Sequence, residues 1–263
     1  MDPVLAYLRE IHPQPWGRVL DAGTGRSSLE WLLELPSESW TAVTAEAGRA
    51  GILRERYQTR FRPQDRLLVG NWRDPDFLGE ESFTEVLADY LLGSVERYAP
   101  YFQVDMLARL ARVTTSRLYL VGLEPYRPGE GGELDLIWEI ARFRQACHLL
   151  AGHPSHREYP LEWTLARLAE LRFEVEEVQR FAILYGEELV EGELDGLDQI
   201  LERLPSSTLR WALRRQLRQL RSQGRRRLKS GRTLPGGFDY LIVARSPSTG
   251  YPRLDPQARV SHD

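Results

Sequence analysis

The residues best suited to bind and orient a reactive ligand stand near the start of the chain, in Val19-Leu20-Asp21-Ala22-Gly23-Thr24-Gly25-Arg26-Ser27-Ser28. Two glycines flank one threonine between an apolar run and a helical pattern. Such a turn lets backbone approach a ligand closely and aims free N–H groups at it. A second candidate is Glu46, 25 residues past Asp21, where a carboxylate would accept a sugar's hydroxyls. A dinucleotide site wants a third glycine three residues after the second, and that position is Ser28. Asp21, immediately before the turn, would also repel pyrophosphate. It suits a ligand with a cationic end, such as the ammonium of a methionine moiety.

These residues need a scaffold, and the hydropathy pattern supplies one. Asp2-Pro3 reads as an N-cap and first helical residue of a short helix through about Ile11. Strands are expected at Arg18–Ala22, Trp40–Glu46, Arg66–Gly70, Phe83–Asp89 and Arg117–Leu123. Helices are expected between them over Ser27–Leu35, Arg49–Tyr57 and about Val95–Val113. Strands alternating with helices at this spacing imply a parallel sheet covered on both faces. Beyond a Pro/Gly loop (Pro125–Gly132) come helices at Glu133–Leu150 and Leu161–Leu171 and a strand at Phe173–Leu184. A largely helical stretch follows from Leu197 to about Arg227, broken at Pro205 and Gly224. Pro235-Gly236-Gly237 reads as a turn and Phe238–Ala244 as the last strand.

The Leu20–Gly25 motif, an acid after the second strand and a final strand at Phe238–Ala244 resemble the class I S-adenosylmethionine (SAM)-dependent methyltransferases. The resemblance implies an α/β fold: a seven-stranded, mostly parallel Rossmann-like sheet with helices on both faces and a helical lid. It implies one SAM-binding domain over residues 1–245, with a lid insert at 127–160, a basic helical insert at 197–232 and an irregular tail at 246–263. The cofactor is then SAM, and the product S-adenosylhomocysteine (SAH). Gly23, Thr24 and Gly25 would meet the methionine part, with Asp21 near its ammonium and Glu46 on both ribose hydroxyls. After the third strand the family often has an acid that reads adenine. This chain has Asn71-Trp72, where Asn71 would hydrogen-bond and Trp72 would stack, or Trp72 is plain core. Asp89 and Tyr90 end the fourth strand beside the reacting methyl. Tyr90 could line a sulfonium, and Asp89 could equally be a cap.

The acceptor is less legible. The Glu133–His156 insert follows the Glu124-Pro125-Tyr126 turn at the carboxyl end of the sheet and brings His148, His153, His156 and Tyr159 together in sequence. His153 is the candidate base there, set against a plain surface or capping role. The histidine spacing matches no zinc pattern, so no metal is expected. From Arg203 to Arg232 eleven cations occur without one acid. That stripe could bind nucleic-acid phosphates, steer an acidic small molecule, touch an anionic membrane, or pair with the chain's own acids. The Asn-Pro-Pro-Tyr-type motif common in methyltransferases of nucleic-acid amines is replaced by Asp89-Tyr90-Leu91-Leu92. The favoured reading is transfer to a small-molecule acceptor. The alternatives are an RNA or DNA methyltransferase and a non-catalytic scaffold.

The 263 residues are 42% hydrophobic and 28% charged with net charge −3, ordinary for a globular protein and excluding collagenous or low-complexity chains. One cysteine, Cys147, excludes an internal disulfide and a Cys-based zinc site. With no apolar run near the roughly 18 residues of a membrane span, and Asp2 and Arg9 interrupting the first ten residues, a cytoplasmic location is expected.

Overall fold

The computed structural model describes residues 2–127, 133–153 and 156–247. The first half alternates as expected. It runs α1 (Pro3–Ile11), β1 (Trp16–Asp21), α2 (Arg26–Leu32), β2 (Ser37–Thr44), α3 (Ala47–Tyr57), β3 (Arg66–Val69) and β4 (Phe83–Asp89). It continues with α4 (Leu91–Tyr98), α5 (Gln103–Val113) and β5 (Thr114–Leu123). The second half contains α6 (Glu133–Leu150), α7 (Leu161–Glu170), β6 (Glu174–Tyr185), α8 (Glu187–Leu194), α9 (Leu197–Glu202), α10 (Ser207–Arg227) and β7 (Leu234–Arg245). Asp2 caps α1 as its sequence suggests, its Oδ1 accepting from the Val4 N–H at 2.8 Å.

The seven strands form one sheet in the order β3-β2-β1-β4-β5-β7-β6. The pairs among β1 to β5 are parallel, and β7 runs antiparallel to both β5 and β6. Parallel strands buried on both faces explain the near-continuous apolar runs of β1, β2 and β4. On one face α4, α5 and α7 bury Leu92, Met106, Leu110 and Leu168 against Leu20, Val86 and Leu120. On the other, α1, α2 and α3 bury Leu5, Leu29 and Leu53 against Val19, Leu87 and Val121. A third cluster joins α6, α8, α9 and α10 through Ile140, Leu194, Leu201 and Leu217.

Three expected boundaries are corrected. The single helix over about Val95–Val113 is two helices, α4 and α5. Pro100 lacks an N–H and disfavours helical backbone in the residue before it. Accordingly Ala99 leaves the helical region (φ −150°, ψ 76°) and Tyr101 takes φ +65°. The expected break at Gly224 is absent, because α10 runs through it. A Cβ there would come 2.9 Å from Val190 Cγ1, so the glycine lets α8 pack close. Pro235-Gly236-Gly237 is part of β7 and not a turn. Residues 234–237 of β7 lie beyond its pairing with β5 and run beside β6, so proline forfeits no ladder bond on the other side. Gly236 makes room there for the Tyr185 ring, which a Cβ would approach to 2.1 Å. The expected tail falls, from residue 248 on, outside the described residues, as do residues 128–132 of the Pro/Gly loop.

Candidate functional site

The glycine turn is tied to both strands beside it. The Ala22 N–H donates to Leu87 O on β4 (2.9 Å) and the Thr24 N–H to Val43 O on β2 (2.6 Å). Gly25 caps α2, its N–H donating to Ser28 Oγ at 3.0 Å. Ser28, where a dinucleotide motif would have glycine, therefore fixes the turn from inside the helix. Gly23 has no room for a side chain: a Cβ would lie 2.7 Å from Leu91 Cδ1.

Below this turn the sheet ends in carboxylates. Asp21 is fully buried; its Oδ1 accepts from the Gly23 N–H at 3.3 Å, and its Oδ2 has no hydrogen-bond partner among the described residues. Burial pushes its pKa up, against the pull of Ser28, Thr24 and Gly23. Asp89, ending β4, is pushed up to about 7 by burial and then by Asp21, Asp2 and Asp239. Burial likewise lifts Asp239 to about 6, and the Tyr90 hydroxyl bonds to it. Like charges crowded in a poorly hydrated corner raise one another's pKa. Such a corner favours a cation and disfavours a pyrophosphate.

A cleft of about 170 Å³ opens at the turn. Gly23, Thr24, Asn71 and Trp72 line it, as does Leu91. Trp72 is also core, as the alternative reading had it: it is 8% exposed, and its indole N–H donates to Ala22 O at 2.8 Å. Asp21, Gly25, Glu46 and Asp89 do not line the cleft. Glu46 sits at the end of β2 as the N-cap residue of α3. Its carboxylate accepts from the Tyr98 hydroxyl and faces Arg49 Nε (3.5 Å) and Arg97 Nη2 (3.8 Å), and all three partners line the cleft. The Tyr98 hydrogen bond, with the two arginines, holds Glu46 below the usual carboxylate range against the opposing effect of burial. Tyr90 occupies the left-handed region (φ +47°) as N-cap residue of α4, and its ring packs on the α1–α3 side of the sheet.

No family model matches the sequence, and no curated relative does. Solved structures do match the fold. A candidate methyltransferase from Bacillus halodurans superposes with a TM-score of 0.61 and 18% identity, over 92% of this chain and 98% of that one. A cyclopropane synthase from Mycobacterium tuberculosis superposes at 0.55 with 16% identity, over 92% and 82%. A mycolic acid cyclopropane synthase in complex with SAH superposes at 0.57 with 14% identity, over the same shares. The fold is that of the class I methyltransferases. In this methyltransferase fold the glycine turn, Glu46 and Asn71-Trp72 follow β1, β2 and β3, three adjacent strands, at their carboxyl ends, where open α/β sheets bind ligands.

Next to the cleft of this methyltransferase fold is a larger chamber of about 830 Å³, and Arg97 and His156 stand in the walls of both. Residues of α6 and α9 line it, together with His153, Arg157 and Glu158. His148, His153 and His156 all line it. His153 Nε2 lies 3.0 Å from Arg203 Nη1; since a guanidinium only donates, that nitrogen accepts. Glu158, absent from the sequence-based candidates, also lines it. Its oxygens have no hydrogen-bond partner among the described residues, and burial followed by Asp239 lifts its carboxyl to about 7. Gly93 makes room for it, since a Cβ there would lie 2.5 Å from Glu158 Oε2.

Part of the basic segment pairs with acids of α8 and α9. Arg214 pairs with Glu202, Arg221 with Asp198 (2.9 Å) and Arg225 with Glu191 (2.8 Å). Among the described residues no three side chains are placed to hold a metal ion, and no helix is long and apolar enough to cross a membrane.

Proposed function

We propose that the protein is a SAM-dependent methyltransferase acting on a small molecule. One observation carries this reading: the glycine turn stands over a buried carboxylate, Asp21, with one oxygen unpartnered among the described residues, beside a second acid, Asp89. That corner fits a ligand whose amino-acid end is cationic. Gly23 and Thr24 would take that end by backbone, Glu46 the ribose, and Asn71 with the face of Trp72 the adenine. Bound there, SAM supplies a methyl group already activated by its sulfonium, so alignment and exclusion of water are what the protein must add.

The chamber is read as the acceptor site, and α6 with α8–α10 as its lid. A hydroxyl or amine acceptor has to lose a proton. Glu158 is better placed to take it than His153, whose free lone pair already accepts from Arg203. A group titrating near 7 is matched to that task at neutral pH. The pairing of Arg214, Arg221 and Arg225 with acids of α8 and α9 reduces the charge the segment offers to phosphates and favours a small acceptor over a nucleic acid. Calorimetry tests the reading. Wild-type protein should bind SAM and SAH with micromolar affinity, and Glu46→Ala should lose most of it. Absence of binding to either compound would overturn the assignment.

A further inference from the structure

Five arginines (Arg97, Arg142, Arg144, Arg157 and Arg203) face the acceptor chamber, against one acid, Glu158. Three of them are answered from outside its walls. Arg97 approaches Glu46 at 3.8 Å, Arg144 pairs with Glu193 at 2.5 Å, and Arg157 pairs with Glu96 at 3.3 Å. The other two differ. Arg142 lies over the Trp138 ring, its guanidinium carbon 5.0 Å from the centroid, and Arg203 is fixed by the His153 lone pair. Neither has a carboxylate partner among the described residues. Both are thus oriented by neutral groups, an aromatic face and an imidazole nitrogen, which fix a guanidinium without cancelling its charge.

The potential of this wall registers on its neighbours. Burial, then Arg144 and Arg97 among others, holds His148 and His156 below the usual histidine range. More positive charge on the histidines is therefore opposed, and an oxyanion entering the chamber would meet two exposed guanidinium groups with no carboxylate competing for them. A planar guanidinium offers paired N–H donors that match the two oxygens of an oxyanion.

We propose that Arg142 and Arg203 form an oxyanion grip in the chamber, and that its ligand is a small molecule carrying a carboxylate or phosphate group. Calling that molecule the methyl acceptor rests on the function proposed above; the binding itself does not. Arg142 comes from α6 and Arg203 from the C-cap of α9, so the grip forms only when the helices of the third apolar cluster are packed together.

The test is titration of the full chain with benzoate and, separately, inorganic phosphate, at constant ionic strength in chloride. The two arms show which oxyanion is preferred. Wild-type protein should bind at least one of them. Arg142→Gln with Arg203→Gln should weaken binding at least tenfold, while Arg142→Lys with Arg203→Lys should recover part of it. Arg218→Gln, on the exposed side of α10, should leave it unchanged. SAH binding, measured on the same samples, should be the same in all of them. Failure of both anions to bind wild-type protein, or equal loss in Arg218→Gln, overturns the grip whatever SAH does. If SAH alone fails to bind, the cofactor assignment falls while loss of anion binding confined to the Arg142 and Arg203 variants still supports the grip.

Discussion

Tyr98, on α4, donates its phenolic proton to the carboxylate of Glu46 at the end of β2, 52 residues earlier in the chain. The contact ties a cleft-lining side chain to the carboxylate behind it, and it occupies one oxygen of the group assigned to the ribose. Binding must therefore exchange a protein hydroxyl for sugar hydroxyls. Exchange of one neutral partner for another is worth about 1 kcal/mol or less. Tyr98→Phe should accordingly tighten SAH binding a few-fold, read by calorimetry. Weaker binding in Tyr98→Phe would mean that Tyr98 contacts the ligand directly.

Gly23→Val should abolish SAH binding. Its Cβ would meet Leu91 Cδ1, and its methyl groups would fill the cleft where the ligand's amino-acid end is placed. Leu91 can shift, so the fold should survive with a thermal midpoint only a few degrees lower. Unchanged SAH affinity in a folded variant would refute the assignment of the turn.

Trp72→Phe removes the hydrogen bond to Ala22 O and leaves a gap behind the turn. A lost buried hydrogen bond plus lost packing costs roughly 1–3 kcal/mol. Both stability in urea and SAH affinity should fall. A variant as stable as wild type would show that the indole does not brace the motif.

Asp89 carries a pH signature. Its folded pKa, about 7, lies above the unfolded carboxylate value, so its protonated form favours the fold. That contribution is complete below about pH 4 and is lost as pH rises through 7. Asp89→Asn cannot ionise. It should raise the thermal midpoint at pH 8 relative to wild type, with little gain at pH 4. An equal effect at both pH values would show that Asp89 does not titrate in this range.

The fold was largely legible because its signals are local. Asp2 before Pro3 marks the start of α1, and apolar runs bounded by charged or turn residues mark the strands, with Phe83–Asp89 matching to the residue. The break at Pro100 between α4 and α5 is a local signal passed over; two other misses came where tertiary contact decides. Gly224 reads as a breaker until Val190 is seen against it, and Pro235-Gly236-Gly237 reads as a turn until Tyr185 is seen over Gly236. The candidate cofactor cleft was partly legible for the same reason: Asp21 through Gly25 are contiguous, and Glu46 ends the next strand. Tyr98, Glu158, Arg142 and Arg203 come from four separate segments, and nothing in their spacing announces that the fold assembles them. The eleven cations of residues 203–232 show the converse case. Their density suggests a surface for phosphates, yet α8 and α9 supply acids to three of them.

The most direct test of the central claim is a crystal structure of the protein grown with SAH. The homocysteine end is expected at Gly23 and Thr24 over Asp21, with the ribose hydroxyls on Glu46 in place of Tyr98 and the sulfur facing the chamber that holds Glu158. SAH bound elsewhere, with the Gly23 cleft closed or taken by a pyrophosphate-bearing molecule, would contradict that claim.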